Sequence, residues 1–302
     1  MTPASPPPLL SVILPVYNAE GTVAATLGAL LAQPLRPFEI LVSDDGSTDG
    51  SLAVCRRCER ENPGSVRVFT GPNAGVSVAR NRALDAARGE WISFCDADDI
   101  PHPGIYARLL DLAREEEAEL ALCAFQWVNP GGRTDGPVVS FPYRGRIVLD
   151  GRRQIDRRFF HPLLRMEWHH RGNLVAGLFR REIIERARLR FVPRVVSGED
   201  LLFMLEYLLR IRRLAAVDEI LYDYVQHPRN ASAEFKRDSE WRRAANEYRM
   251  ARERLRIFRA WPRAVLHPLE RVKFRLRVLD RARKYRAALL RAGAIGRKGG
   301  VG

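Results

Sequence analysis

The sequence predicts an α/β protein with a Rossmann-like, mostly parallel sheet and helices on both faces. In the first 128 residues, short apolar runs rich in β-branched residues alternate with stretches whose apolar residues recur at helical spacing. The connections between them are short, which is typical of strand–helix–strand units. The predicted strands are residues 11–16, 39–42, 66–69, 91–94 and 120–128, and the predicted helices are residues 20–33, 49–61, 76–88 and 103–117.

The second half of the chain is less regular. Residues 130–142 are rich in Gly and Pro and predict a loop or hairpin. A helix is predicted over residues 201–211, a strand over 220–225, and mostly helix from residue 241 onward. We therefore divide the chain into a disordered N-terminus (1–10), an α/β domain (11–235, with halves 11–128 and 129–235) and a helical extension (236–302).

The positive charge is concentrated in this extension. The whole chain of 302 residues has a formal net charge of +14, and residues 236–302 hold 21 Lys and Arg against 6 Asp and Glu. The α/β domain is therefore nearly neutral and the extension strongly basic. An apolar fraction of 46% fits a globular protein rather than a disordered one.

Composition also limits the compartment and the cysteine chemistry. No apolar run is long enough to span a membrane, and residues 1–10 do not resemble a signal peptide. The four cysteines then indicate a reducing compartment. Cys55 and Cys58 form a CxxC, but on a predicted helix and without a second pair, so we interpret them as two reduced helix residues.

Polar, loop-prone residues follow four consecutive predicted strands. Because parallel strands end at one edge of a sheet, and ligands bind beyond that edge, we expect these residues to converge on one site. The segments are residues 15–18, 43–47, 71–75 and 96–99.

Carboxylates dominate two of these segments. Asp96, Asp98 and Asp99 would repel one another without a cation, and Mg²⁺ or Mn²⁺ prefers such oxygen ligands together with phosphate oxygens. The alternative is an ordinary capped turn. Asp44 and Asp45 could recognise a base or ribose, or could simply form a turn.

The four motifs together resemble family 2 glycosyltransferases, which have the GT-A fold. The match is dense from residue 11 to about 110 and sparser to about 232. Its elements are Pro15-Val-Tyr17-Asn18, Asp44-Asp45-Gly-Ser-Thr-Asp49, Asn73-Ala-Gly-Val76 with Ala79-Arg80-Asn81, and Asp96-Ala-Asp98-Asp99. Each motif alone is weak, but the set in this order and spacing is specific.

The resemblance implies an inverting transfer of a sugar from a nucleotide diphosphate donor, commonly a UDP-sugar, in polysaccharide or glycolipid biosynthesis. Residues 11–128 would bind the nucleotide-sugar and residues 129–235 the acceptor, with Mn²⁺ or Mg²⁺ as cofactor. Asp98 would be the principal metal ligand, and Asp96 would contact ribose or metal. His227 would be a further metal ligand, the alternative being an ordinary surface His. The nucleotide-sugar pocket would be lined by Pro15, Tyr17, Asn18, Asp44, Asp45, Asn73 and Arg80. For Arg80 the alternative is a surface ion pair.

Inversion requires a base that takes the proton of the acceptor hydroxyl. Asp200, with Glu199 beside it, matches the position of the family's base. The alternative is that both acids only interact with the dipole at the start of a helix. Residues 174–181 lack the aromatic and Lys that the family often carries there, so the resemblance does not assign acceptor contacts. His169 and His170 are interpreted as loop residues.

The basic extension suggests a surface partner. From Leu269 to Leu289 apolar residues recur at helical spacing among Arg and Lys, a pattern that suits an anionic membrane surface or packing on the α/β domain. No nucleic-acid recognition motif accompanies the charge, so we expect no nucleic-acid partner. We expect a saccharide or lipid-linked acceptor and a cytoplasmic protein, peripheral at the inner face of the membrane.

Two other functions remain open at this point. A metal-dependent nucleotidyltransferase also combines an α/β sheet with carboxylates, but it would need a Gly-rich basic loop after the first strand, which residues 15–18 do not provide. A non-catalytic scaffold or nucleic-acid protein would use the basic extension and leave the carboxylates at the strand ends unexplained.

Overall fold

The computed structural model describes residues 7–134, 144–164, 174–226 and 239–261, with short helical pieces between 275 and 287. The strands in this part of the chain are β1 (Leu10–Val16), β2 (Phe38–Asp44), β3 (Val66–Thr70), β4 (Trp91–Phe94), β5 (Ile100–Pro101), β6 (Leu120–Val128), β7 (Ile147–Asp150), β8 (Gly177–Arg180) and β9 (Arg213–Val225). The helices are α1 (Val23–Leu31), α2 (Ser51–Glu61), α3 (Val76–Asp85), α4 (Ile105–Glu115), α5 (Arg152–Ile155), α6 (His161–Leu164), α7 (Arg181–Arg186), α8 (Glu199–Leu208) and α9 (Glu240–Ala260), with a π-helical turn at Asp156–Phe160.

These strands form one mixed sheet in the order β3-β2-β1-β4-β8-β6-β9-β5, and β7 also pairs with β9. The β3-β2-β1-β4 part is entirely parallel. β8 runs antiparallel to both β4 and β6, whereas β6 and β9 are parallel. The predicted α/β class is therefore confirmed, with a parallel first half and antiparallel strands in the second.

Helices cover both faces of the sheet because the central strands are apolar on both sides. Every residue of β1, β2 and β4 is buried. Alternate residues of a strand point to opposite faces: Ile13 belongs to the apolar cluster that includes α3, α8 and α9. Val12 and Leu14 belong to the cluster that includes α1 and α4.

The first helix of the basic extension is part of this core. α9 packs against α8 and contributes Met250, Ile257 and Phe258 to the same apolar cluster. Trp261, directly after α9, meets the ring of Phe160 edge-on at a centroid distance of 4.5 Å. The division at residue 235 stays a sequence-based prediction, and α9 is packed on the α/β domain rather than separate from it.

The structure differs from the sequence prediction mainly in the second half of the chain, where α5, α6, α7 and the π-helical turn were not predicted. β5, β7 and β8 were not predicted, β9 begins seven residues earlier than expected, and α8 begins at Glu199 rather than 201. Two to four residues give too few alternations for a strand pattern. Among the residues that the structure describes, no helix is long and apolar enough to cross a membrane.

A buried carboxylate ties the amino ends of three strands together. Glu39, on β2, is 1% exposed and accepts hydrogen bonds from Ser11 Oγ of β1 and from the backbone and guanidinium of Arg88. Arg67 of β3 adds an ion pair at 3.3 Å. Burial alone would raise the pKa of Glu39, but the hydrogen bonds from Arg88 and Ser11 outweigh it and lower the pKa.

We expect Glu39→Ala to lower the free energy of unfolding by about 1–3 kcal/mol, because it leaves the Ser11 hydroxyl and the Arg88 amide without their acceptor. Since the folded-state pKa of Glu39 is lowered, its contribution is complete above the unfolded value of about 4.3 and is lost as the pH falls further. Urea titration at neutral and acid pH would measure both effects. Glu182→Ala is the control, since that side chain is 70% exposed in an i,i+4 pair. An equal loss in both variants would contradict the prediction.

Candidate active site

The loops that follow β1, β2 and β3 are held together by hydrogen bonds at the carboxyl edge of the sheet. Asn18, in the loop after β1, accepts from the backbone N–H of Thr48 at 2.8 Å, and its own N–H donates to Ser47 Oγ. Asp45, after β2, accepts from the N–H groups of Ala74 and Gly75 in the loop after β3. The predicted convergence of these strand ends is therefore observed.

Asp44 and Asp45 shape this edge through their carboxylates. Asp44 accepts from the N–H of Gly46 at 3.2 Å and from the hydroxyl of Thr70 at 3.0 Å. Asp45 accepts from the N–H of Gly75 at 2.7 Å. Both side chains are buried; Asp44 forms a turn with Gly46, whereas Asp45 joins the loops after β2 and β3. Recognition of a base or ribose by either residue stays a prediction.

Gly46 permits the close approach of two of these loops. Its φ is +74°, and a Cβ built there would lie 2.8 Å from the backbone nitrogen of Asn73. A side chain at this position would push the two loops apart. Asn73 itself is exposed at the loop surface, and Tyr17 is 50% exposed beside Asn18. Pro15 is buried within β1, opposite Ser43 of β2.

Arg80 is the centre of the candidate site. Its side chain is 3% exposed and contacts three carboxylates from distant parts of the chain. Nη2 lies 2.8 Å from Asp96, and Nη1 lies 2.9 Å from Glu199 and 2.5 Å from Asp200. Its guanidinium also lies over the ring of Phe191, 5.3 Å from the centroid. One buried cation thus joins α3, the loop after β4 and the start of α8.

The pKa values reflect this clustering of charge. Burial raises the pKa of Asp200 well above the usual Asp range and also raises that of Glu199, while Arg80 acts in the opposite direction on both. For Arg80, burial alone would lower the pKa, but attraction to Asp200, Asp96 and Glu199 outweighs it and raises the pKa. The guanidinium therefore stays charged, and Asp200 binds a proton more strongly than an ordinary Asp.

The start of α8 is set by the residue before it. Gly198 has φ +90° and gives the helix no side-chain cap. Glu199 and Asp200 occupy the first turn, where the helix dipole favours negative charge. The sequence-based alternative for this pair, interaction with the helix terminus, is therefore real but incomplete, because both acids also contact Arg80.

The three acids of the loop after β4 have separate environments. Asp99 is fully buried and accepts from the Tyr222 hydroxyl at 2.8 Å and from the N–H of Val225 at 2.9 Å, both on β9. Asp96 is engaged by Arg80, and Asp98 is partly buried. Asp99 is thus a structural residue that fixes the loop against β9.

The donor set suits a hard divalent cation shared with a ligand. Within the described ranges, no three His, Cys, Asp or Glu side chains come together as a complete metal cage. Mg²⁺ usually keeps several waters and takes one or two carboxylates plus phosphate oxygens. Asp98 and Asp96 on one loop fit that pattern. His227, the further ligand suggested by resemblance, lies outside the described residues, as do His169 and His170.

Two remaining expectations concern Cys55 and residues 174–181. Cys55 and Cys58 are free thiols on α2, as predicted, and burial raises the pKa of Cys55 to about 12. Neither is therefore a reactive thiolate.

Residues 177–180 form β8, which separates β4 from β6 in the sheet. The backbone of this segment serves the fold.

Fold and site together define an α/β protein of the GT-A type. The model of the family described as "Glycosyl transferase family 2" matches residues 11–187. The chain therefore belongs to glycosyl transferase family 2.

Curated relatives are similar at low identity. An uncharacterized glycosyltransferase, YibD of Escherichia coli, is 30% identical over 229 residues, which is 74% of this chain and 63% of the relative. The glycosyltransferase EpsJ of Bacillus subtilis is 30% identical over 221 residues, 73% of this chain and 62% of the relative. The chain thus spans about three fifths of the length of these relatives.

Solved structures show the same fold. TarS of S. aureus in complex with UDP-GlcNAc gives a TM-score of 0.66 at 23% identity, covering 90% of this chain and 72% of that one. The mannosyltransferase PcManGT of Pyrobaculum calidifontis, in complex with GDP-Man and Mn²⁺, gives 0.55 at 20% identity, covering 96% and 81%. These likenesses concern the fold.

Proposed function

We propose that the protein is an inverting glycosyltransferase that transfers a sugar from a nucleotide diphosphate sugar to a hydroxyl acceptor. The observation that carries the proposal is the ring of carboxylates around Arg80, formed by Asp96, Glu199 and Asp200 beside the converged strand ends. Membership of the family supports the reaction class. The contact between residues 80 and 200 brings the donor-side motifs and the expected base to one place.

In this proposal Asp200 accepts the proton of the acceptor hydroxyl as that oxygen attacks the anomeric carbon. The raised pKa of Asp200 favours this role, because a base works best with a pKa near the working pH. The buried guanidinium of Arg80 contacts both Asp200 and Asp96. The base and the donor-side loop therefore keep a fixed separation.

The donor would lie against the loops after β1, β2 and β3. Asp98 and Asp96 would hold Mn²⁺ or Mg²⁺, which when bound neutralises negative charge on the departing diphosphate. We favour a uridine nucleotide, since two TarS structures contain UDP or UDP-GlcNAc, although the PcManGT complex contains GDP-Man. The exposed ring of Tyr17 is available to contact the base.

We expect Asp200→Asn to lower the turnover number by about 100- to 10,000-fold, because general base catalysis contributes that much. The Km for donor should change little. Release of nucleotide from UDP-sugars, with water as the acceptor, would measure both constants. In the wild type the rate should rise with pH until Asp200 ionises, above the usual Asp value of about 3.9. Asp85→Asn, an exposed partner of Arg190, is the control. Unchanged turnover would remove Asp200 as the base.

We expect Asp98→Ala to abolish stabilisation by Mn²⁺ together with UDP, because the cation loses its principal ligand. Thermal unfolding with UDP alone, Mn²⁺ alone and both would measure this without any turnover. The exposed carboxylate of Glu182 again provides a control, as Glu182→Ala. An equal Tm rise in Asp98→Ala and the wild type would contradict the metal site.

For the acceptor we propose a growing polysaccharide or a glycolipid. Relatives with sequence similarity include a cholesterol galactosyltransferase of Borreliella burgdorferi and a chondroitin synthase of Pasteurella multocida. The basic extension supports contact with an anionic membrane, since residues 236–302 carry nearly all the excess positive charge.

We expect no nucleic-acid partner. We rank a nucleotidyltransferase or a scaffold below the transferase because neither accounts for all four motifs.

The membrane contact predicts vesicle binding that depends on charge. Deleting the extension would be a poor test, because α9 packs in the core. Reversing three exposed arginines should instead lower affinity for phosphatidylglycerol vesicles at least about 100-fold, at roughly 1 kcal/mol per basic residue. The variant carries Arg275→Glu, Arg283→Glu and Arg286→Glu, and the control carries Arg57→Glu, Arg60→Glu and Arg186→Glu on the α/β domain. Sedimentation that is equal for both variants would reject the membrane role.

A further inference from the structure

A side chain of the basic extension holds the loop that leads into α8. Asn246, on α9, is 1% exposed. Its Oδ1 accepts from the N–H of Val196 at 2.8 Å, and its Nδ2 donates to the carbonyl oxygen of Ser197 at 2.9 Å. One carboxamide therefore forms hydrogen bonds with both a backbone N–H and a backbone carbonyl group just before Glu199.

Neighbouring residues of α9 face the same loop. Arg249 donates to the carbonyl oxygen of Arg194 at 2.9 Å. A Cβ built on Gly198 would lie 2.6 Å from the end of the Met250 side chain. Positions 246, 249 and 250 share one face of a helix because they are three and four residues apart. This face of α9 thus covers residues 194–198, which we call the lead-in loop.

The lead-in loop is held on its other side by α3. Asn81 of α3 fixes Phe191, three residues before the loop: it donates to the carbonyl oxygen of Phe191 and accepts from its N–H, at 2.9 and 2.8 Å. Ser77 Oγ donates to the carbonyl oxygen of Val195 at 3.4 Å. The loop is therefore enclosed between the helix that carries Arg80 and the first helix of the extension.

The backbone needs this external support because α8 begins without a local cap. Gly198 offers no side chain, and its left-handed φ is readily adopted but also readily left by glycine. Only two residues separate Asp200 from Ser197, whose carbonyl oxygen accepts the hydrogen bond from Asn246. A shift of about 1 Å in a catalytic group can reduce a rate about 100-fold.

We propose that Asn246 is a positioning residue for Glu199 and Asp200, so that α9 is a working part of the active site. The inference rests on the proposed transferase activity and adds a residue that lies outside all four motifs. Asn246 does not touch Arg80 or the carboxylates. It acts through the lead-in loop, which sets where α8 starts and therefore where its two acids meet Arg80.

The test compares two variants of α9. Asn246→Ala should lower the turnover number for UDP-sugar hydrolysis about 10- to 100-fold with the Km for donor unchanged. Ile257→Ala is the matched control. It is fully buried on the same helix, about 16 Å further along. It should lower Tm at least as much and leave the turnover number unchanged at temperatures where both variants are folded. Equal turnover in Asn246→Ala and wild type overturns the proposal, and so does a loss that follows Tm in both variants.

A second measurement keeps the inference separate from the activity. Hydrogen exchange of the peptide 191–203 should become faster in Asn246→Ala and stay unchanged in Ile257→Ala, with no substrate present. If the wild type hydrolyses no UDP- or GDP-sugar, the proposed function fails, but the exchange result still shows whether Asn246 stabilises the lead-in loop. Asn246→Asp, which keeps the acceptor for Val196 but replaces the donor to Ser197 by a carboxylate oxygen that repels the carbonyl, should lower the turnover number at least as much as alanine. It replaces the alanine variant if that variant does not fold.

Discussion

The site depends on one buried cation. Arg80 lies at the junction of three segments that are far apart along the chain, and its guanidinium offers several donors in one plane, which a lysine could not. Removing it would leave Asp96, Glu199 and Asp200 facing one another with no compensating charge. Such an uncompensated buried cluster is strongly destabilising. The same interaction that assembles the proposed active site therefore also stabilises the contact of α3 with the loop after β4 and with α8.

The parallel half of the sheet explains why the donor-side residues meet. β1, β2, β3 and β4 all end at the same edge, so the loops that follow them start side by side in the sheet order β3, β2, β1, β4. Hydrogen bonds from Asn18 and Asp45 then connect these loops. The acids of α8 reach this edge because α8 lies on the face of the sheet that also carries α3.

Much of this arrangement could be predicted from the sequence, and the limits have physical causes. Apolar runs predicted the ends of β1 and β6 to within one residue, and helical periodicity predicted those of α4 to within two, whereas β5 and β8 were too short to show alternation. The resemblance indicated Asp200, but no spacing shows that Arg80 contacts it. The contact of Asn246 with the lead-in loop could not be predicted either, because a single Asn on a polar helix produces no recognisable sequence pattern. Asp99 was grouped with the cation ligands, and only its burial separates it from them.

The position of Asp99 has a consequence for strand alignment. Its two oxygens accept from the Tyr222 hydroxyl and from the Val225 amide, three residues apart on β9. Sliding β9 by a single residue would remove both donors and turn every side chain to the opposite face. The carboxylate of Asp99, in the loop after β4, thus permits only one alignment of the neighbouring strand. Val225, the last residue of β9, is consequently fixed against the loop after β4.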